Sequence, residues 1–316
     1  MDFELDETAL AIRREAEAFA ASVEHLAVEA DRMSEVHPRM HEALILSDLC
    51  GYMVPAAHGG RLETIDPLAV CLVREAFMGV SAHLDSLFAL QGIGSYAISA
   101  HGSDEQRAQW LPKVATGEVL AALALTEPEA GSDLKNLRTT LVTDGDELVL
   151  NGEKSFISNA GAAGFYTTLA REGDGYSAVL VPAGVRGLST EPEPEIIAPH
   201  VLGTVGFDDV RLPASARIGA AGTGFDVVLE TLAVFRVSVA GAALGLARGA
   251  LTEAAHHAAG REQFGRPLAR LGPVAEMIAD SWTELEGASL LTYRAALRAR
   301  KDPREALDHS SMAKLA

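Results

Sequence analysis

The sequence predicts an α+β chain of three zones: helical, then antiparallel sheet, then helical again. Three observations carry this. Residues 5 to about 118 space apolar side chains at helical intervals, as in Ile12, Ala16, Phe19, Ala20 and Val23, with few strand-like runs. From about 119 to 218, β-branched runs alternate with turn signals: Thr139-Thr140-Leu141-Val142, Asp144-Gly145-Asp146 and Leu148-Val149-Leu150 are followed by residues 167–169, Gly173-Asp174-Gly175 and residues 178–181. From Phe225 onward helical periodicity returns, rich in Ala, Leu and Arg. The expected domains are 1–118, an N-terminal helical domain; 119–222, a middle antiparallel β-domain; and 223–316, a C-terminal helical bundle. Gly219, Gly222 and Gly224 read as the hinge into the last of these.

Within the first zone, Gly92-Ile93-Gly94-Ser95-Tyr96-Ala97 matches the G-x-G-x-x-A pattern of dinucleotide sites. No strand precedes it and no βαβ unit surrounds it, so it reads as part of a helix lining a pocket. His37 and His41 stand four apart, as metal ligands on a helix do, but no third ligand accompanies them and a solvated pair is expected. Adjacent His256 and His257 point in different directions on a helix, so no metal site is expected. In the third zone Gly241, Gly245 and Gly249 recur every four residues, which lets two helices approach closely; Arg236, Arg248 and Glu253 favour a soluble bundle over a membrane pair.

Composition bounds the function classes. With 316 residues, 48% of them apolar, the chain can bury a substantial core and is globular. Its 26 basic and 44 acidic side chains give a formal charge of −18, which argues against nucleic acid or an anionic membrane as a main partner. Only Cys50 and Cys71 occur, without CxxC spacing; the start MDFELDET is acidic, and no uninterrupted run of 18 apolar residues is present. A cytoplasmic setting and no transmembrane helix are expected. No G-x-S-x-G elbow occurs.

Three segments carry chemistry. Residues 125–133, LTEPEAGSD, place the hydroxyls of Thr126 and Ser132 and the small Gly131 after an apolar run, which suits either a surface turn or a loop hydrogen-bonding a polar heteroaromatic ring. Residues 151–159 open on a hairpin-type Asn-Gly and set Phe156 and Ser158 two apart, on one face of a strand. Residues 261–268, REQFGRPL, contain an arginine whose planar fork can pair two phosphate oxygens, or else simply end a helix.

Taken in this order, the three segments resemble the acyl-CoA dehydrogenase family of flavoproteins. Weaker echoes lie at residues 54–60, 101–106, 110–112 and 207–213, so the resemblance spans roughly residues 5 to 316. It implies the family's fold of helical, β and helical domains, and an FAD held by Leu123, Leu125, Thr126, Gly131, Ser132, Phe156, Ile157 and Ser158. Arg261, Gln263 and Phe264 would reach the FAD of a neighbouring subunit. The family most often has Trp where this chain has Phe156. Ser132, Ile93, Tyr96, Phe235 and Arg236 are the implied substrate contacts.

The implied reaction is α,β-dehydrogenation of an acyl thioester, carried by CoA or a carrier protein, with the β-hydride passing to flavin N5. The implied partners are an electron acceptor, either an electron-transfer flavoprotein or oxygen, and further subunits of a homo- or hetero-oligomer, dimer or tetramer, sharing the FAD site. The family's proton-abstracting glutamate usually lies toward the C-terminus, past the point where this sequence stops. In some branches it directly precedes the arginine matched by Arg236, where Phe235 stands. Ala233 replaces an acid found in many members, and Leu271-Gly272-Pro273 replaces a Gln-containing stretch. No catalytic residue is therefore assigned, and Glu230 and Glu284 read as solvated surface acids. Three expectations follow: a dehydrogenase lacking the end of its last domain, a subunit of a heteromer whose partner supplies the base, or a flavin-fold interaction protein, oxidase or hydroxylase.

Overall fold

Local signals start and stop the first helices. In the computed structural model, which describes residues 5–193, 196 and 199–316, α1 (Glu7–Ala30) and α2 (Pro38–Leu46) are joined by a short turn. Pro38 opens α2, and the His37 ring accepts the Met40 N–H at Nδ1, 3.1 Å away. His41 Nε2 lies 2.8 Å from the Gly117 carbonyl oxygen. The two histidines are thus not the expected solvated pair: His37 is buried as a helix cap and His41 ties α2 to the end of α5 (Asp104–Thr116). Among the described residues no cluster could hold a metal ion. α5 begins with a reciprocal cap between Ser103 and Gln106 and ends at Gly117, whose φ of 77° needs glycine.

Between them run α3 (Pro67–Met78) and α4 (Ala82–His101). The G-x-G-x-x-A stretch lies inside α4. Gly94 is there for packing: a Cβ on it would lie 2.7 Å from the backbone N of Ala122, so β1 (Ala121–Ala124) rests directly on this helix. Gln91 braces the same strand, accepting the Ala121 N–H at 2.9 Å and donating to the Val119 carbonyl at 2.8 Å.

The sheet adds β2 (Thr140–Asp144), β3 (Glu147–Ser158), β4 (Phe165–Glu172), β5 (Gly175–Pro182), β6 (Leu188–Pro192), β7 (Leu202–Pro213) and β8 (Arg217–Ile218), in the order β6-β7-β3-β2-β4-β5-β8, with β1 beside β4. Most ladders are antiparallel, as expected, but β1 and β2 each run parallel to β4. The long return from β1 through the β2–β3 hairpin brings the chain back in the same direction, and alternation within a strand carries no information about that. Alternating residues of β4 serve two cores. Tyr166 and Ala170 join Leu141, Leu150, Val179 and Val205 on one face, while Phe165 joins Ile98, Leu111, Ala121 and Leu180 under α4 and α5.

After β8 come α6 (Gly224–Gly260), a two-strand hairpin of β9 (Glu262–Gln263) and β10 (Arg266–Pro267), α7 (Gly272–Ala299) and α8 (Leu307–Leu315). Two of the three glycines expected to form a hinge are held in place: the Gly222 N–H donates to Ser177 Oγ at 2.9 Å, and a Cβ on Gly224 would sit 2.3 Å from the Ala178 nitrogen. The chain resolves into two compact units, one comprising residues up to Glu24 with Pro67–Asp85 and Ala233–Ala316, the other His25–Asp66 and Ser86–Leu232.

In the first unit, α6 and α3 meet backbone to backbone. A Cβ on Gly241 would lie 2.8 Å from the Cys71 carbonyl oxygen, one on Gly245 2.0 Å from that of Glu75, and one on Gly249 3.0 Å from that of Gly79. The spacing of four therefore serves close packing, as the sequence implies. By length and composition α6 could cross a membrane, although no uninterrupted apolar run marks it; 67% of its most apolar 18-residue window is buried, as in a core helix.

Candidate active site

Residues 125–139 leave β1 as a loop held from inside. The Glu127 and Ala130 backbones bond to each other at 3.0 and 3.1 Å, leaving Pro128 and Glu129 exposed at the tip. Glu127 itself turns inward. Its Oε1 accepts from Lys154 Nζ at 2.7 Å, from Thr139 Oγ1 at 2.6 Å and from the Thr139 N–H at 3.0 Å, and its Oε2 accepts from the Arg138 N–H at 2.5 Å. Burial opposes the charged carboxylate, but these donors, Lys154 foremost, outweigh it and hold the carboxyl below its usual range. Lys154 is fully buried on β3; burial lowers the pKa of its ammonium and Glu127 partly restores it.

Lys154 Nζ also donates to the Leu125 carbonyl at 3.1 Å, and the Ser155 N–H to the Thr126 carbonyl at 2.9 Å. Loop residues 125–127 are thereby laid along residues 154–155 of the strand. Thr126 is half-buried, Ser132 exposed, and the space around Gly131 is open, so nothing inside the chain demands glycine there. Leu123 is half-buried on β1 and Leu125 buried behind the loop.

At Phe156 β3 bulges. Lys154 pairs with Val205 and Ile157 with Gly203, so two residues, Ser155 and Phe156, face Thr204 alone. The regular alternation expected for this segment breaks here: Lys154 and Ser155 are both buried, and Phe156 takes a φ of 56° and is 58% exposed. Ile157 then points into the core and Ser158 is half-buried, its Oγ 3.4 Å from His200 Nε2. A large side chain held at positive φ and left exposed is unfavourable on both counts, a combination that collects at functional sites.

In the same unit, Ile93 and Tyr96 are half-buried on α4. The Tyr96 hydroxyl donates to Glu230 Oε1 at 3.2 Å, and His101 Nε2 lies 3.2 Å from Glu230 Oε2. Glu230, its side chain 23% exposed, is a partnered group and not the solvated acid expected. The remaining candidates belong to the other unit. Phe235 is buried on α6, Arg236 donates to Ser311 Oγ at 3.2 Å, and Glu284 is exposed on α7. Arg261 and Gln263 are exposed beside the β9–β10 hairpin, which turns at Phe264 (φ 57°) and Gly265 (φ 74°) and leaves the Phe264 ring 90% exposed.

Three family models match consecutive stretches: the acyl-CoA dehydrogenase N-terminal domain over residues 6–118, its middle domain over 122–210 and its C-terminal domain over 222–316. The chain belongs to the acyl-CoA dehydrogenase family. It is similar to cyclohex-1-ene-1-carbonyl-CoA dehydrogenase of Geobacter metallireducens, with 36% identity over 297 residues that cover 91% of this chain and 77% of that protein. Among solved structures it superposes on butyryl-CoA dehydrogenase from Megasphaera elsdenii with a TM-score of 0.90 at 26% identity, covering 99% of this chain and 86% of that one. A glutaryl-CoA dehydrogenase from Mycobacterium smegmatis, solved in complex with FADH2, gives 0.91 at 26% identity over 98% of this chain and 80% of that one.

For this acyl-CoA dehydrogenase chain the sequence-derived candidates omit three residues at the centre of these networks. Lys154 stands between Glu153 and Ser155 with no local sign of burial, and Glu127 is one acid among three in residues 125–133. The only sequence signal for the pair is that both lie within the candidate segments, residues 125–133 and 151–159. Glu230 is visible as an acid on a helix, but its partners lie 129 and 134 residues away.

Proposed function

We propose that the chain is an FAD-dependent oxidoreductase that removes hydrogens from the α and β carbons of an acyl thioester. Family membership supports this chemistry. The exposed Phe156 ring, held at positive φ beside the Thr126 loop, is the observation that carries its location. An isoalloxazine ring would lie against Phe156 and the Ile157 backbone, with the Thr126 and Ser158 hydroxyls and nearby backbone at its polar edge and Leu123, Leu125, Gly131 and Ser132 completing the cradle. These residues fit a flat, partly polar ring: an aromatic face, short hydroxyls and an uncrowded glycine. Bound FAD would supply the acceptor for the β-hydride.

Arg261, with Gln263 and Phe264 on their exposed hairpin, would reach the FAD of a neighbouring subunit, the guanidinium pairing with phosphate oxygens. Ser132, Ile93 and Tyr96 would contact the acyl thioester, whether on CoA or a carrier protein. The proposed domains are 1–118, 119–222 and 223–316, the oligomer a dimer or tetramer, and the setting cytoplasmic with an electron-transfer flavoprotein or oxygen as acceptor. Phe235 has no proton-accepting atom, so in this reading the α-proton passes to a carboxylate elsewhere, and in a heteromer a partner chain would supply it.

Anaerobic addition of an acyl thioester to the purified, FAD-loaded protein tests the proposal. Bleaching of the yellow flavin absorbance is the expected result. Protein that takes up no FAD overturns every flavoenzyme reading, and FAD that stays oxidised until a second subunit is added supports the heteromer.

A further inference from the structure

We infer that Lys154 is a positioning residue for the loop that presents Thr126, clamping the peptide on both sides of that residue so that the loop and the bulged strand carrying Phe156 keep one mutual geometry. The inference rests on the proposed FAD site and deepens it.

The clamp is continuous. Nζ of Lys154 donates to the carbonyl of Leu125, the residue before Thr126, and to the carboxylate of Glu127, the residue after it, at 3.1 and 2.7 Å. The neighbouring Ser155 N–H holds the Thr126 carbonyl itself at 2.9 Å. Three successive loop residues are thus fixed by two successive residues of β3. The same strand bulges at the next position and leaves the Phe156 ring outside the core. An ammonium group offers three directed donors, and in a dry interior they define position tightly.

Core filling alone does not call for such a pair. Two buried charges are expensive to desolvate, and an apolar pair of similar volume is commonly as stable or more so. What an apolar pair lacks is any hold on the Leu125 carbonyl. The clamp therefore serves the placement of the peptide around Thr126.

The test compares the wild-type chain with Lys154→Met and with the double variant Lys154→Met/Glu127→Gln, which leaves no unpaired buried charge. Three readouts apply: amide hydrogen exchange of residues 125–130 in flavin-free protein, the dissociation constant for added FAD, and the visible spectrum of the bound flavin. The expected result for the double variant is a thermal midpoint near wild type, exchange at Glu127 and Ala130 at least tenfold faster, FAD binding at least tenfold weaker and a shifted flavin band. A double variant that folds but keeps wild-type exchange, affinity and spectrum overturns the inference. Failure of both variants to fold makes Lys154 a scaffold residue and overturns it too. Wild-type protein that binds no FAD sinks the proposed function instead, while the exchange readout still decides whether Lys154 clamps the loop.

Discussion

Arg74 holds Asp85 through two parallel hydrogen bonds, Nε to Oδ1 at 2.8 Å and Nη2 to Oδ2 at 2.6 Å. The side chains are 9% and 2% exposed, and Arg74 Nη1 donates further to Ser238 Oγ at 3.0 Å, so one guanidinium ties α3, α4 and α6 together. Burial opposes the charge on Arg74, but Asp85 overrides it and raises the guanidinium pKa. Asp85→Asn therefore leaves a buried charge without its counter-ion, with an expected loss of about 3–5 kcal/mol in urea unfolding. Arg74→Met/Asp85→Leu is expected to recover most of that loss. A single variant costing less than about 1 kcal/mol would refute this account of the pair.

Two glycines in helix interiors should respond to alanine with opposite signs. Glycine to alanine ordinarily gains about 0.5–1 kcal/mol in a helix. Nothing lies within 4 Å of a Cβ on Gly287 of α7, so Gly287→Ala is expected to raise the thermal midpoint. On Gly245 the same atom would fall 2.0 Å from the Glu75 carbonyl oxygen, which is backbone and cannot swing aside. Gly245→Ala is expected to cost at least about 1–3 kcal/mol, as overpacked cores do. Equal midpoints for the two variants would show that α6 and α3 are not in backbone contact.

Glu172 contributes stability that depends on pH. Burial works against its charge, but Arg217, Ser177 and Thr143 together outweigh that and hold the carboxyl below its usual 4.5. A depressed folded pKa means that the unfolded chain takes up the proton first on acidification. The contribution is full above about pH 4.5 and disappears as pH falls through the lowered folded value. Urea midpoints of wild type and Glu172→Gln, measured from pH 7 down to pH 3, should differ most at neutral pH and converge in acid. A gap that widens on acidification would reverse the sign and defeat the argument.

Periodicity made the helix, sheet, helix order legible, because residues such as Ile12, Ala16 and Val23 report which face is covered. It was blind to the β1–β4 pairing, since a strand's own alternation does not name its neighbour. Phe156 was recognisable from its segment, yet the bulge that turns its ring outward resides in the backbone dihedrals. Lys154 carries no sequence signal of its burial, because its charge is balanced from a loop 27 positions earlier. Glu230 reads as solvated for the same reason, its partners lying 129 and 134 residues away, whereas His37 caps its own helix through Met40, three residues on.

Thr126→Val removes the proposed flavin-edge hydroxyl at nearly constant volume. It is expected to weaken FAD binding or slow flavin reduction by up to about tenfold, the scale of one hydrogen bond. Arg261→Ala should lower FAD retention only where subunits associate, because its proposed contact lies across an interface. Titrations at several protein concentrations separate the two: unchanged affinity and rate in Thr126→Val, or wild-type FAD retention by Arg261→Ala at concentrations where subunits associate, would remove those assignments.

Phe156 sets stability against function most directly. Its φ of 56° disfavours any side chain with a Cβ, and the residue is 58% exposed, so replacing it with glycine relieves backbone strain while giving up less buried apolar area than a core aromatic would. Phe156→Gly is therefore expected to unfold at the same temperature as the flavin-free wild type or a few degrees higher, against the usual direction for losing an aromatic residue. The same change deletes the surface on which the isoalloxazine is proposed to lie, and FAD affinity should fall by tenfold or more. Calorimetry of the flavin-free proteins, paired with fluorescence titration of FAD, reads both. A variant that loses stability and keeps its flavin would mean that the ring serves the fold and not the cofactor.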